Sequence, residues 1–168
     1  MSLTMYTATV PTCTRALNNL AAILEKAAAY AEARKIAPAV LLNSRLFPDM
    51  FPLATQIHLA NDIAQGGAAR LAGAEVPAFE AKERSIAEWI AASRATVAYL
   101  ESLKPAQFEG AEDRTITWQT RSTTRNMQGT AYLFHHVLPN VFFHVTTAYD
   151  ILRQAGLELG KLDYLGRT

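Results

Sequence analysis

Four stretches of this chain repeat apolar residues every three or four positions, and each is long enough for several turns of helix. In the first, Val10, Cys13, Leu17, Leu20, Leu24, Ala28 and Ala31 form one stripe, because side chains three and four apart share a face of an α-helix. The stripe predicts a helix from Thr9 or Val10 to about Lys35. Thr9 would cap it, and Pro11 would sit in the first turn, where a missing N–H leaves no intrahelical bond unmade. The second stripe, Leu53, Ile57, Ala60, Ala64, Gly67 and Leu71, predicts a helix over about residues 52–71. Gly66 and Gly67 within it each cost about 1 kcal/mol relative to alanine, which argues for close approach by another helix. The third, Ile86, Ile90, Ser93, Val97 and Leu100, predicts a helix over about residues 81–104. Glu80 and Glu83 lie near its positive end, and Pro105 stops it. The fourth lies in "LPNVFFHVTTAYDILRQAG". There Pro139 suits a first turn, Val141, Val145, Ala148 and Leu152 make the stripe, and Gly156 suits a left-handed residue after Gln154 or Ala155.

The segments between are shorter. "APAVLLNSRLFPDMFP" carries prolines at 38, 48 and 52, each disfavouring helix before it. It reads as an irregular connector with one short turn, packed on the body through Leu41, Leu42, Leu46, Phe47, Met50 and Phe51. "GAEVPAFE" reads as a turn. "RTITWQT" and "RSTTRNMQG" read as strands near 114–120 and 123–128, a hairpin that must lean on the helices because two strands alone are marginal. "TAYLFHHVL" gives one or two helical turns before Leu138-Pro139 resets the chain. "LELGKLDYLGRT" reads as a tail without regular structure, docked through its leucines and Tyr164. Arg45 with Asp49, and Lys161 with Asp163, are expected to pair across the connector and the tail. The sum is an all-α fold: one domain over residues 1–168, an up-down four-helix bundle with a small β-hairpin before its last helix.

The charge balance excludes some partners. Sixteen basic and 15 acidic side chains give a net charge of +1, without the footprint of a nucleic-acid-binding surface or a polybasic membrane patch. No apolar run approaches the roughly 20 residues of a membrane span, and the first residues lack the pattern of a signal peptide. A cytoplasmic protein is the expectation. The single cysteine, Cys13, leaves no internal disulfide or cysteine-based zinc cluster and reads as a small buried apolar residue.

HExxH, CxxC, GxGxxG, P-loop and GxSxG patterns are all missing from the chain. Attention falls on the four histidines, His58, His135, His136 and His144. His58 shares a helix face with Asp62, four residues on, but lies off the apolar stripe of its helix. His144 shares a face with Asn140 and flanks the last stripe. His135 and His136 are adjacent, so they point about 100° apart and cannot easily serve one ion; they read as structural or surface residues.

"RLFPDMFPLATQ", "AARLAG", "LPN…FHVTTAYDILR" and "GKLDYLG" carry a resemblance over nearly the whole chain. The sequence is similar to the DinB/YfiT-like superfamily of four-helix-bundle metalloenzymes, often dimeric, and within it to a branch that shares these strings. The resemblance implies a metal triad: one histidine in a context like "HLA" on the second helix and an HxxxH on the last. Position by position, His58 takes the first place, Asn140 the second and His144 the third. An amide thus stands where the pattern has an imidazole, and it is a poorer donor for zinc or nickel, which favour nitrogen and sulfur ligands. Catalytic residues are not identified by this route.

Three functions remain open on the sequence. One is a metal-dependent enzyme using a divalent ion, zinc or nickel, at His58, Asn140 and His144. Another is a non-catalytic binder of a small molecule, lined by Trp118, Tyr132, Phe142 and Tyr149 with Asn140 and Asp62. The last is a structural homodimer packed through the small residues of the second helix and the polar-poor last helix.

Overall fold

In a computed structural model that describes residues 3–80, 84–120 and 122–166, four long helices share one apolar core. Helix α1 spans Met5–Arg34. It starts before the expected Thr9 because Thr4 and Thr7 cap each other: the Thr4 hydroxyl accepts from the Thr7 N–H at 3.1 Å, and the Thr4 N–H donates to the Thr7 hydroxyl at 2.8 Å. Pro11 therefore lies inside the helix rather than in its first turn, and leaves the Thr7 carbonyl without its usual donor. Thr9 is fully buried.

The connector forms a short helix, α2, over Pro38–Asn43. Leu41 and Leu42 are buried as expected, but Leu46, Phe47 and Phe51 are exposed. Arg45 donates to the Met50 carbonyl and braces this loop.

Helix α3, Leu53–Leu71, begins after Pro52. Helix α4 is Ile86–Ser102, shorter than expected at its start because Ser85 and Glu88 form a reciprocal cap. The expected first turn at 81–83, with Glu83, lies outside the described residues. After a 3₁₀ turn at Pro105–Phe108, strands β1, Thr115–Gln119, and β2, Thr124–Gln128, pair antiparallel with Trp118 opposite Arg125.

The chain then runs helical without a break. Helix α5, Gly129–Tyr132, passes through one π turn, Leu133–Val137, into helix α6, Leu138–Gln154. Leu138-Pro139 does not reset it. Proline removes one N–H and crowds the carbonyl four residues back, and a π turn is a known way to absorb such a defect inside a helix. Asn140 contributes a side-chain N–H to the His136 carbonyl at 2.6 Å. Gly156 takes the left-handed conformation, φ 96°.

The tail is not irregular. It forms helix α7, Lys161–Leu165, and docks on α1 through Lys26–Asp163 at 2.7 Å, Asn19 to the Tyr164 carbonyl at 2.8 Å and Arg15 to the Leu165 carbonyl at 2.9 Å.

The four-helix bundle and the hairpin before the last helix stand as expected, but the up-down alternation does not hold at α3 and α4, because the contacts fix directions that periodicity cannot. Gly67 meets Val137, and Gln56 meets His144, so α3 and α6 are antiparallel. His58 meets Trp89, and Asn61 meets Ser93, so α3 and α4 run parallel. Glu25 meets Arg94, and Tyr6 meets Phe108 beyond the end of α4, so α1 opposes α4. Parallel neighbours need a connection that travels back along the whole first helix. Residues 72–80 begin it, not as the expected turn but as a strap laid along α3. Val76 lies over Gly66, the Pro77 carbonyl accepts from Gln65 at 3.0 Å, and Phe79 reaches His58. Extended chain covers about 3.3 Å per residue, enough to retrace a 19-residue helix of about 28 Å. No helix among the described residues is long and apolar enough to cross a membrane.

Candidate functional site

The face of α3 that carries His58 looks exposed by periodicity, because it lies off the apolar stripe. The strap and the parallel run of α4 cover it. His58 sits against Phe79, with ring centroids 5.2 Å apart, and against Trp89 at 6.3 Å. The Arg84 guanidinium stacks over both neighbours, 5.3 Å from the Phe79 ring and 4.7 Å from that of Trp89. Burial lowers the His58 pKa; Asp62 partly offsets this, and Arg84 adds to it. The imidazole is therefore neutral at pH 7.

One turn along the same seam, the Asn61 amide N–H group donates to the Ile57 carbonyl at 2.8 Å and to the Ser93 hydroxyl at 3.1 Å. What the seam leaves unmade is as informative. His58 Nδ1, Asn61 Oδ1 and Trp89 Nε1 are all buried without a hydrogen-bond partner. Buried polar atoms are paired in the great majority of cases, so three orphans on two facing helices mark the seam as a place where something polar belongs. Asn61, Trp89 and Ser93 were not among the expected site residues. Their signal was faint: Ser93 is a polar member of the otherwise apolar α4 stripe, and Asn61 lies one position beyond Ala60 of the α3 stripe.

His144 lies in a different neighbourhood. Its Nδ1 is 2.7 Å from Gln56 Oε1, while Gln56 Nε2 donates to the Phe51 carbonyl at 3.1 Å. With the amide oriented by that second bond, Nδ1 carries the proton and donates. Burial lowers the pKa of His144 to about 4. Gln56, which sequence reasoning missed, thus ties α6 to the start of α3.

The three residues matched to the metal pattern are not drawn together by these contacts. Gln56 and His58 are two positions apart on α3, about 200° around the helix. His144 binds on the Gln56 side and His58 packs toward α4. The Asn140 N–H group is turned to the His136 carbonyl, and the Arg84 cation beside His58 would repel a dication. Among the described residues no three His, Cys, Asp or Glu side chains gather into a group able to hold a metal. Asn140 and His144 are engaged in hydrogen bonds of their own, and no chemical step is routed through a metal ion.

The aromatic residues expected to line a single pocket divide between two places. Trp118 and Tyr132 pack together at 4.8 Å. Phe142 instead lines a groove of about 350 Å³ between α1, α6 and α7, with Tyr164 and Leu165, and Tyr149 lies against Tyr164 at 6.3 Å. His136, expected to be structural or superficial, stacks on Tyr132 at 5.3 Å and on Trp118 at 4.7 Å. Cys13 is buried, with its thiol pushed up to about 12, and cannot serve as a nucleophile at neutral pH.

Comparison with known proteins follows the fold. No curated protein matches the chain. Residues 5–165 match the family described as "Domain of unknown function (DUF1993)". The crystal structure of a DinB family member protein from Shewanella denitrificans is 41% identical, covers 97% of this chain and 92% of its own, and superposes with a TM-score of 0.90. The chain belongs to the DUF1993 family, a branch of DinB-like helical bundles.

Proposed function

We propose that this DinB-like protein is a binder of a small neutral polar molecule, held in the α3–α4 seam at His58. The observation that carries the proposal is the set of three orphaned atoms there, His58 Nδ1, Asn61 Oδ1 and Trp89 Nε1. Each unpaired buried group costs about 1–3 kcal/mol, which a ligand recovers by pairing it. Trp89 Nε1 only donates and Asn61 Oδ1 only accepts, so the ligand must offer both an acceptor and a donor. Phe79 and Trp89 favour a flat body. Arg84 opposes a cation, and burial opposes any net charge. Small amides meet these terms, and no bond-making step is assigned.

The test follows the Trp89 indole N–H by NMR while nicotinamide and acetamide are titrated into the full chain. A saturable shift of the Trp89 resonance, abolished by Asn61→Leu with the Trp118 resonance unmoved, supports the reading. No shift with either probe overturns it. So does stoichiometric zinc or nickel in protein grown in defined medium and lost in His58→Ala, which would return the site to the ion implied by the sequence resemblance.

A second reading, a homodimer, is favoured by exposed aromatic residues. The small residues of α3 do not serve it, because Gly66 is covered by Arg70 and Val76, and Gly67 by Val137. Phe47 is 63% exposed and Phe143 54%, with Phe51 and Phe142 also open. Light scattering on the wild type and on Phe47→Asp/Phe143→Asp tests it: a dimer that becomes a monomer supports the reading, and a wild-type monomer at 100-micromolar concentration (about 10⁻⁴ M, a weak-interface range) ends it.

A further inference from the structure

A second cluster lies nearer the C-terminal end of α3 than His58 does. Three elements bring basic side chains to one pair of packed rings, Trp118 and Tyr132. Trp118 of β1 faces the helical body, and Arg125 is its direct partner on β2. Directly opposed residues of an antiparallel pair project to the same face, so Arg125 is carried on the face that holds Trp118. Arg70 of α3 folds back over Gly66, its guanidinium nitrogen within 2.7 Å of the place a Cβ would occupy there, and donates to the Tyr132 hydroxyl at 3.4 Å. The π turn aims His136 at the same rings, close to both Trp118 and Tyr132.

The balance of charge at this point favours the positive, two guanidinium groups against the carboxylate of Asp62. Neither guanidinium has a carboxylate ion-pair partner among the described residues. The charged groups that act on His136 are Arg125 and Arg70, and both, after burial, lower its pKa. Those that act on Tyr132 are Arg70 and, with opposite sign, Asp62. The half-buried Arg70 and the surface Arg125 both disfavour the charged form of the His136 imidazole, an effect that a bound anion opposes. Guanidinium groups suit the geometry of carboxylate and phosphate oxygens.

We propose that Arg70, Arg125 and His136 form a binding site for a small oxyanion, a carboxylate or a phosphate, at the junction of α3, the hairpin and the π turn. It does not rest on the reading of the α3–α4 seam. An anion there raises the proton affinity of His136, so binding is coupled to proton uptake.

Calorimetric titration of the full chain with inorganic phosphate, and separately with benzoate, at constant ionic strength tests the proposal. The expected result is saturable one-to-one binding of at least one probe. It should weaken at least tenfold in Arg125→Gln and in Arg70→Gln, remain in Lys161→Gln, and show an observed heat that depends on the buffer's ionisation enthalpy. Tighter binding of phosphate assigns the site to a phosphate group, and tighter binding of benzoate to a carboxylate. Arg70→Gln could disturb Tyr132 and folding; Arg125 lies on an exposed strand, so Arg125→Gln decides the matter alone. Neither probe binding, or equal losses in Arg125→Gln and Lys161→Gln, overturns the proposal.

Discussion

His144 shows how a residue can be picked out correctly and its role still depend on a partner far away. Its place in the last helix is legible from spacing, but Gln56, which fixes its ring, lies 88 positions earlier, and no local pattern joins the two. The consequence is a pH dependence with a definite sign. The folded state holds His144 neutral down to about 4, below its usual 6.5. Between those values the unfolded chain therefore binds the proton and the folded chain does not, so stability is lost as pH falls from 6.5 toward 4. The group's share is up to about 3 kcal/mol, at about 1.4 kcal/mol per pH unit. His58 and His136 are shifted in the same direction and steepen the fall. Urea unfolding at pH 7.5 and pH 5 should show a smaller difference in His144→Gln, which keeps a donor for Gln56, than in the wild type. Cys13 gives a second check at this scale. Its buried, high-pKa thiol should resist iodoacetamide in the native protein and react fully in urea. Labelling of the native protein at the unfolded rate would contradict its burial.

Among the elements, the helices were legible wherever periodicity ran long, and their ends were legible wherever a side chain capped them locally. The last helix was not read through Pro139, because a proline signals a break and nothing in the sequence announces a π turn that absorbs it. The expected close approach of another helix to the glycine pair on α3 holds at Gly67 but not at Gly66, and the two residues do different work. A Cβ on Gly67 would lie 2.7 and 2.8 Å from the Val137 methyl carbons, and Val137 is fully buried in the π turn, so neither side can yield freely. Gly67→Ala should destabilise by about 1–3 kcal/mol through overpacking. On Gly66 the near neighbour is the tip of Arg70, which can swing aside. Gly66→Ala should recover up to about 1 kcal/mol of helix propensity. Denaturation of the two variants side by side decides whether the packing or the propensity term governs each site. Similar losses in both would mean that the strap closes on Gly66 as tightly as the π turn closes on Gly67.

For the whole molecule, the parallel course of α3 and α4 was the feature least open to sequence reading, and it makes the candidate site. An amphipathic stripe reports which face of a helix is buried, but says nothing of the direction of its neighbour. With α4 parallel, the return strap is forced over the polar face of α3, and His58 passes from an apparent surface position to a covered one. The tail shows the same limit from the other end. Its docking was legible in Leu157 and Leu159 but not in Leu162 and Leu165, which are exposed, and its helix was not legible, because five residues carry too little periodicity to distinguish helix from coil. Leu157 and Leu159 are almost wholly buried, whereas α7 beyond them buries no residue fully and is held by polar bonds at the surface. Ending the chain at Gly160 should therefore cost only about 1–2 kcal/mol, since exposed ion pairs such as Lys26–Asp163 contribute about 0–1 kcal/mol. Ending it at Gly156 removes the two buried leucines as well. Each leaves a gap in the core worth about 2–5 kcal/mol, enough to consume most of the stability of a domain that holds about 5–15 kcal/mol in all. Thermal melts of the two truncations should thus differ sharply. Equal melting would place the anchor of the tail in α7 rather than in the two leucines that precede it.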